Sequence, residues 1–339
     1  MNAKLLPSFT DITSWEKLLY ATTGGTRSKK IYIKPEEQQQ YFFKGSKVTK
    51  DGAFKYPTEF WSEIVSSKVG QMRGFDILDY NIGYDANDAQ RIGSLSKSMI
   101  THSENTLAEG IEYLRGYDAS YDPINGEDRY TIDLIFKALE EYQLGGAKDK
   151  FLSMVVFDAI IGNSDRHQEN WAFITDFNKS IAKQKKEVKE SKVWLDRFFR
   201  KAALLFTEFL SEFHKGSSKI EEPEILKLNT KLATSYFSPI YDSGCCLGRE
   251  MLSPKVEKML TDPQMMNAYI GKKSKSTIRW VEGKQPNHWR LLEGVKQKYP
   301  EEFKNICERV KESFESEVLQ DLVNNVDEHL PNELREFKL

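Results

Sequence analysis

The sequence predicts an α+β chain in two lobes, a small β-rich N-lobe and a large, mostly helical C-lobe. Short, alternating, β-prone runs cluster before about residue 100, and helical apolar periodicity takes over after it. At 339 residues the chain exceeds what one core usually organises. The expected division is 1–97 for the N-lobe and 98–339 for the C-lobe, with a helical insertion at 176–232 inside the latter.

Composition narrows the function classes. A hydrophobic share of 39% and a charged share of 29% describe an ordinary globular chain. The net charge of −2 gives no reason to expect direct nucleic-acid binding. No apolar run approaches the ~18–20 residues that span a bilayer. Met1–Pro7 lacks the apolar core of a secretory signal. Three cysteines, two of them adjacent (Cys245, Cys246), form neither a disulfide framework nor a Cys-x-x-Cys metal site. A reducing, cytoplasmic setting is expected, with export as an effector left open.

Taken in order, residues 11–20 place Thr13 and Glu16 at capping-box spacing, which predicts a short helix. The basic, Gly-containing stretch Thr22-Thr23-Gly24-Gly25-Thr26-Arg27-Ser28-Lys29 follows. Read blandly it is a hairpin turn; read functionally, its glycines let backbone N–H groups cradle phosphate oxygens. Strands are expected near 31–34 and 40–44, the second ending Tyr41-Phe42-Phe43-Lys44. A lysine there can hold nucleotide phosphates, although an edge lysine reaching water is the commoner case. Residues 58–72 have apolar side chains at 60, 61, 64, 65, 69 and 72, the spacing of a helix with a buried face. Glu63 lies beside that face, within reach of a strand lysine, and Gly74 ends the helix as a C′ residue. Residues 77–84 and 91–100 read as further strands. The connector near Ser96–Thr101, represented by Ser96 and Met99, could receive an adenine on its backbone.

Helices are then expected at 103–113, 131–142 and 148–161. The last delivers Asn163-Ser164-Asp165-Arg166-His167-Gln168-Glu169-Asn170. Asp165 and Asn170 are five residues apart, the spacing at which a phosphotransferase loop pairs a carboxylate for the attacking hydroxyl with a magnesium-holding amide. Residues 179–192 are a charged run and 193–213 a strongly apolar amphipathic helix. For the Lys-rich run a solvated helix face is favoured over an anionic membrane or nucleic acid; membrane-surface contact, if any, is expected through 179–213. An apolar strand next carries the chain into Asp242-Ser243-Gly244, which can aim a carboxylate at a metal. The adjacent cysteines read as packing residues. Residues 254–339, including 277–283, are expected to be helical packing, and the remaining histidines have no ligand spacing.

In chain order these parts are a Gly-rich basic turn, Lys44, Glu63, a connector, Asp165 with Asn170, and Asp242. Phe157–Trp171 resembles the catalytic segment of the HipA-like serine/threonine kinases. Ser238–Gly248 is similar to that family's metal-binding segment, standing where other kinases have Asp-Phe-Gly. Tyr41–Lys44 resembles its nucleotide-lysine strand, Glu63 its helix glutamate, and Gly24–Lys29, with substitutions, its phosphate loop. The resemblance runs over about 20–250. It implies a bilobal protein-kinase-like fold and an ATP- and Mg²⁺-dependent protein kinase. Asp165 would be catalytic, and Gly24, Gly25, Thr26, Lys29, Lys44, Glu63, Ser96 and Met99 would bind nucleotide. Asn170 and Asp242 would hold metal, and Arg166 and His167 would order the loop. Family members autophosphorylate in the N-lobe loop, which makes Thr22, Thr23, Thr26 and Ser28 the acceptors to consider. Several are toxins of toxin–antitoxin pairs and others translocated effectors. A protein substrate and an antitoxin-like or host protein partner are therefore implied. The chain departs from the family in its long 176–232 insertion and in lacking the extra N-terminal subdomain of longer members. The rival readings are a phosphoinositide lipid kinase, which shares Asp165-Arg166-His167 and Asn170, and a nucleotide-binding pseudokinase.

Overall fold

The computed structural model describes residues 5–18, 29–46, 49, 56, 59–215, 222–251, 253–313 and 315–338. The N-terminal sheet is built from β1 (Phe9–Asp11), β2 (Glu16–Leu18), β3 (Lys30–Lys34), β4 (Gln39–Gly45), β5 (Tyr80–Tyr84) and β6 (Ile92–Lys97), with α1 (Glu59–Met72) between β4 and β5. The strand order is β1-β5-β6-β4-β3-β2, antiparallel except for β1 beside β5. Side-chain alternation along β4 sets up the site. Phe43 enters a small cluster with Ile12, Tyr32 and Leu95. Lys44, its neighbour, therefore points to the opposite face, toward α1. In the register, Lys44 lies opposite Ser94 and Gly45 opposite Gly93. A Cβ at Gly93 would stand 2.5 Å from the Lys44 carbonyl oxygen, so a glycine is what lets β6 come this close.

Helix α1 is buried on nearly every side from Glu59 to Gly70. Gly74 ends it with φ +69°, the left-handed conformation expected there. Both glutamates are 2% exposed, so neither belongs to a solvated face.

The second region begins with β7 (Thr106–Glu109), α2 (Gly110–Tyr117), α3 (Ile132–Glu141) and α4 (Lys148–Ile161). Helix α3 is capped by Thr131, whose hydroxyl accepts the Leu134 N–H. Helix α4 runs through the main core, buried from Phe151 to Asp158, and Gly162 closes it at φ +67°. After β8 (Ala172–Asp176) come α5 (Phe177–Glu190), α6 (Trp194–His214), α7 (Pro223–Leu232) and β9 (Thr234–Phe237). Strands β7, β8 and β9 form a three-stranded antiparallel sheet. The chain ends with α8 (Ser253–Thr261), α9 (Pro263–Ala268), α10 (His288–Lys298), α11 (Pro300–Glu312), α12 (Ser316–Asn325) and a 3₁₀ turn at Asn332–Phe337. That last turn reaches back to the N-terminal region, where Trp61 Nε1 donates to the Phe337 carbonyl at 2.8 Å. No helix among the described residues is long and apolar enough to cross a membrane.

Three local expectations are corrected. Residues 11–18 are strand and turn, not helix. The Thr13 hydroxyl accepts the Ala86 N–H at 3.0 Å instead of capping, and Glu16 pairs with Ile33. The helix expected from 103 begins at Gly110, because Thr106–Glu109 pairs with β8. Residues 277–283 form a loop. The Arg279 carbonyl accepts from Ile132 N–H at 3.0 Å and its own N–H donates to Tyr130 O at 2.9 Å, which takes its backbone out of any helix.

Candidate active site

Lys44 stands where β4, α1 and the segment carrying Asp242 meet, and it is buried. Its Nζ donates to Glu63 Oε1 at 3.0 Å and also to Asp242 Oδ1. Glu63 is fixed from its other oxygen by the Ser94 hydroxyl at 2.7 Å. Strand β4, helix α1 and strand β6 therefore meet at one buried carboxylate. An ion pair this enclosed needs such extra hydrogen bonds to offset its desolvation.

Asp242 is reached through a short bridge of Ile240 to Ile77, beyond β9. Its φ is +53°, an uncommon conformation for a non-glycine residue that aspartate tolerates better than most. Lys29 Nζ lies 3.1 Å from Asp242 Oδ2, so each carboxylate oxygen has a cation. Burial works against ionisation, but Lys44 and Lys29 outweigh it and hold the carboxyl well below the usual carboxylate range. Above Asp242, the Tyr80 hydroxyl accepts its backbone N–H at 3.3 Å. Burial, then Glu63 and Asp242, push the Tyr80 phenol well above its ordinary value, so it remains neutral.

The loop after α4 is organised by Arg166, which is 1% exposed. Its Nε and Nη2 form a two-pronged pair with Asp158 at 2.9 and 2.8 Å. It also donates to the carbonyls of Asn170 (2.7 Å) and Tyr241 (2.5 Å) and to the Ser243 hydroxyl (3.0 Å). One guanidinium thus ties together the last turns of α4, the loop carrying Asp165 and Asn170, and the segment carrying Asp242. Its fixed fork of donors suits that task. Burial lowers the Arg166 pKa, but Asp158 overcomes this and raises it above the usual arginine value.

Asp165 is half-buried at the mouth of this arrangement. Its backbone N–H donates to Asn163 Oδ1 at 3.3 Å, and the Cys245 thiol donates to its Oδ2 at 3.1 Å. Cys245 is therefore more than packing, whereas Cys246 is buried as expected. Asn170 Nδ2 donates to the Asp165 carbonyl at 2.7 Å, which leaves its Oδ1 as the oxygen free of that bond. His167 Nδ1 accepts from Glu169 N–H at 3.3 Å, and its carbonyl accepts from Asn170 N–H at 2.9 Å. Asp165, Ser164, His167, Glu169 and Arg279 line a cavity of about 320 Å³ on the outer side of the loop.

The donor set fits a hard cation. Asp242 supplies an ionised carboxylate and Asn170 a positioned amide oxygen. Magnesium takes few protein ligands and fills the rest of its sphere with water and phosphate oxygens. Among the described residues no group of three or more His, Cys, Asp or Glu side chains could hold a metal ion.

Of the residues singled out by sequence, Lys29, Lys44, Glu63 and Asp242 form one connected group, and Asp165, Arg166, His167 and Asn170 another, joined to it through Arg166. Ser96 is buried in β6, paired with Phe42 and Tyr80, and Met99 follows where the chain leaves the strand. Gly24, Gly25, Thr22, Thr23, Thr26 and Ser28 lie outside the described residues. Sequence reading assigned no role to Ser94, Tyr80, Asp158 or Ser243, and read Cys245 only as packing. Asp158 did carry a signal, because an aspartate inside an apolar helical run needs a buried partner. Ser94 and Tyr80 carried none, since their roles depend on strand register.

A six-stranded sheet with one helix, set on a helical region and joined by these loops, defines a bilobal kinase-like fold. The crystal structure of a Helicobacter pylori proinflammatory kinase, CtkA, is similar to it, with a TM-score of 0.63 over 98% of this chain and 91% of that chain. The two share 16% sequence identity, so the likeness is one of fold. No protein-family model and no curated protein matches the sequence.

Proposed function

We propose that the protein is an ATP- and Mg²⁺-dependent serine/threonine protein kinase of HipA-like type. The observation that carries this reading is Lys44 held between Glu63 and Asp242, with Asp165 and Asn170 coupled to the same centre through Arg166. The kinase-like fold supports it, as does the description of the H. pylori protein as a kinase.

In this reading Lys44 and Lys29 shift from Asp242 to the phosphates of ATP as the nucleotide enters. Asp242 and Asn170 would hold Mg²⁺, which would supply positive charge to offset the negative charge that develops on the transferred phosphoryl group. Asp165 orients the hydroxyl of a serine or threonine in the cavity beside it. The hydroxyl oxygen bonds to the γ-phosphorus as its proton passes to Asp165. The bond from that phosphorus to the β–γ bridging oxygen breaks, and ADP departs. Little covalent chemistry is asked of the protein; positioning and charge stabilisation do most of it. Autophosphorylation is expected among Thr22, Thr23, Thr26 and Ser28, in the segment leading to Lys29.

Incubation of the purified protein with γ-labelled ATP, offering cell lysate and phosphoinositide vesicles as separate acceptors and mapping phosphosites, tests this. Label on serine or threonine is the expected result. Label on lipid alone would establish the lipid-kinase alternative, and Mg²⁺-dependent ATP binding without transfer would establish the pseudokinase.

A further inference from the structure

Helix α6 has two unlike faces. One buries Thr207, Leu210, Ser211 and His214 against α5 and α7. The other carries Trp194, Phe198, Phe199, Leu205, Phe209 and Phe213, each between 58% and 76% exposed. At 100° per residue the six fall within an arc of roughly 140° along the whole helix. Their exposed surface amounts to several hundred Å², a contiguous apolar face of the size that marks an interaction site. The solvated face expected of the charged run belongs to α5, whose lysines are exposed, and not to this helix.

The surroundings of this face indicate what it meets. Arg197 and Lys201, both exposed and one turn apart, run along its edge. Helix α5 adds exposed Lys179, Lys183, Lys185, Lys186 and Lys189, and Lys192 follows it. Residues 177–215 contain ten Lys or Arg against five Asp or Glu, a net of +5 in a chain whose total is −2. The cationic charge is therefore concentrated in the α5–α6 segment that carries the apolar face while the remainder of the protein is acidic.

We propose that α5 and α6 form a peripheral docking surface for an anionic lipid bilayer, with α6 lying in the plane of the interface. Aromatic and leucine side chains on one face, bordered by lysine and arginine, are what an interfacial helix needs. The apolar face enters the boundary between headgroups and acyl chains while the basic groups meet lipid phosphates. Pairing with a second copy would cover the same apolar face but would bring two +5 segments together. An anionic bilayer satisfies both the apolar and the cationic halves. The surface is independent of the catalytic cleft and of the kinase reading.

Flotation of the full-length protein with phosphatidylserine–phosphatidylcholine vesicles, without nucleotide, tests this. The protein is expected to float with these vesicles, to float far less with phosphatidylcholine alone, and to be released by added salt. Trp194→Glu with Phe198→Glu should abolish flotation. Lys192→Glu with Lys201→Glu should weaken it about tenfold or more. All four positions are exposed, so unchanged thermal melts will show that the variants fold. A folded wild type that does not bind phosphatidylserine vesicles would overturn the proposal, as would equal binding to neutral vesicles. So would a concentration-dependent dimer that Trp194→Glu with Phe198→Glu dissociates while vesicle binding persists.

Discussion

Lys44 joins carboxylates that lie 19 and 198 residues away in sequence, on α1 and beyond β9. In the proposed reading, removing it takes a preorganised cation from the phosphates, and it leaves the buried Glu63 without its cation. Lys44→Ala should lower kcat/KM by about 10²–10³, as the loss of one preorganised charge contact typically does; wild-type turnover would show that this lysine is not the nucleotide contact. Arg166 is a structural counterpart. Arg166→Ala strands Asp158 without its buried cation and should destabilise the fold by roughly 3–5 kcal/mol in chemical denaturation. Adding Asp158→Asn to that variant should recover part of the loss, because the stranded charge is then gone; no recovery would mean that Asp158 is not the main partner. Lys44 and Arg166 were both legible as residue types in a suggestive order. Most of their partners were not, since Ser94, Tyr241 and Ser243 reach them only through register and loop closure.

At the scale of elements, the position of α1 matters most, because it carries Glu63. The C-terminal turn Asn332–Phe337 holds α1 from outside through the Trp61–Phe337 hydrogen bond, and Arg91 lies 3.5 Å from Glu336. Deleting residues 332–339 should therefore lower both Tm and phosphotransfer, and Trp61→Phe alone should cost about 1 kcal/mol. Unchanged Tm and activity in the deletion would show that α1 is held without the tail. The inserted helices have their own anchor in His214, which packs on Phe177 and bonds Asn229 at 3.2 Å. Burial holds the His214 pKa below its ordinary 6.5, so the unfolded chain takes up the proton more readily than the folded one. Its stabilising contribution is complete above about 6.5 and is lost as pH falls below that value. Thermal melts across this range should show wild type losing stability on acidification, with a smaller loss in His214→Phe; identical pH dependence would place the titration elsewhere. Helices with strong periodicity or clear ends, such as α1, α3 and α4, could be read from the sequence. The errors fell where distant pairing overrode local preference: Thr13 was recruited by Ala86, Thr106–Glu109 by β8, and the backbone at Arg279 by α3.

Over the whole molecule, Arg166 couples the loop carrying Asp165 and Asn170 to the segment carrying Asp242, so the two are positioned as a unit rather than separately. The apolar, cationic surface of α5 and α6 is distinct from that unit. The central claim is that Asp165 and Asp242 cooperate in moving a phosphoryl group to a protein hydroxyl. It is tested most directly by measuring γ-phosphoryl transfer from ATP to protein for wild type, Asp165→Asn and Asp242→Asn, with far-UV circular dichroism to verify folding. The expected result is Mg²⁺-dependent transfer by the wild type, reduced by about 10²–10⁴ in Asp165→Asn and lost in Asp242→Asn. Undiminished transfer by either folded variant would contradict the assignment.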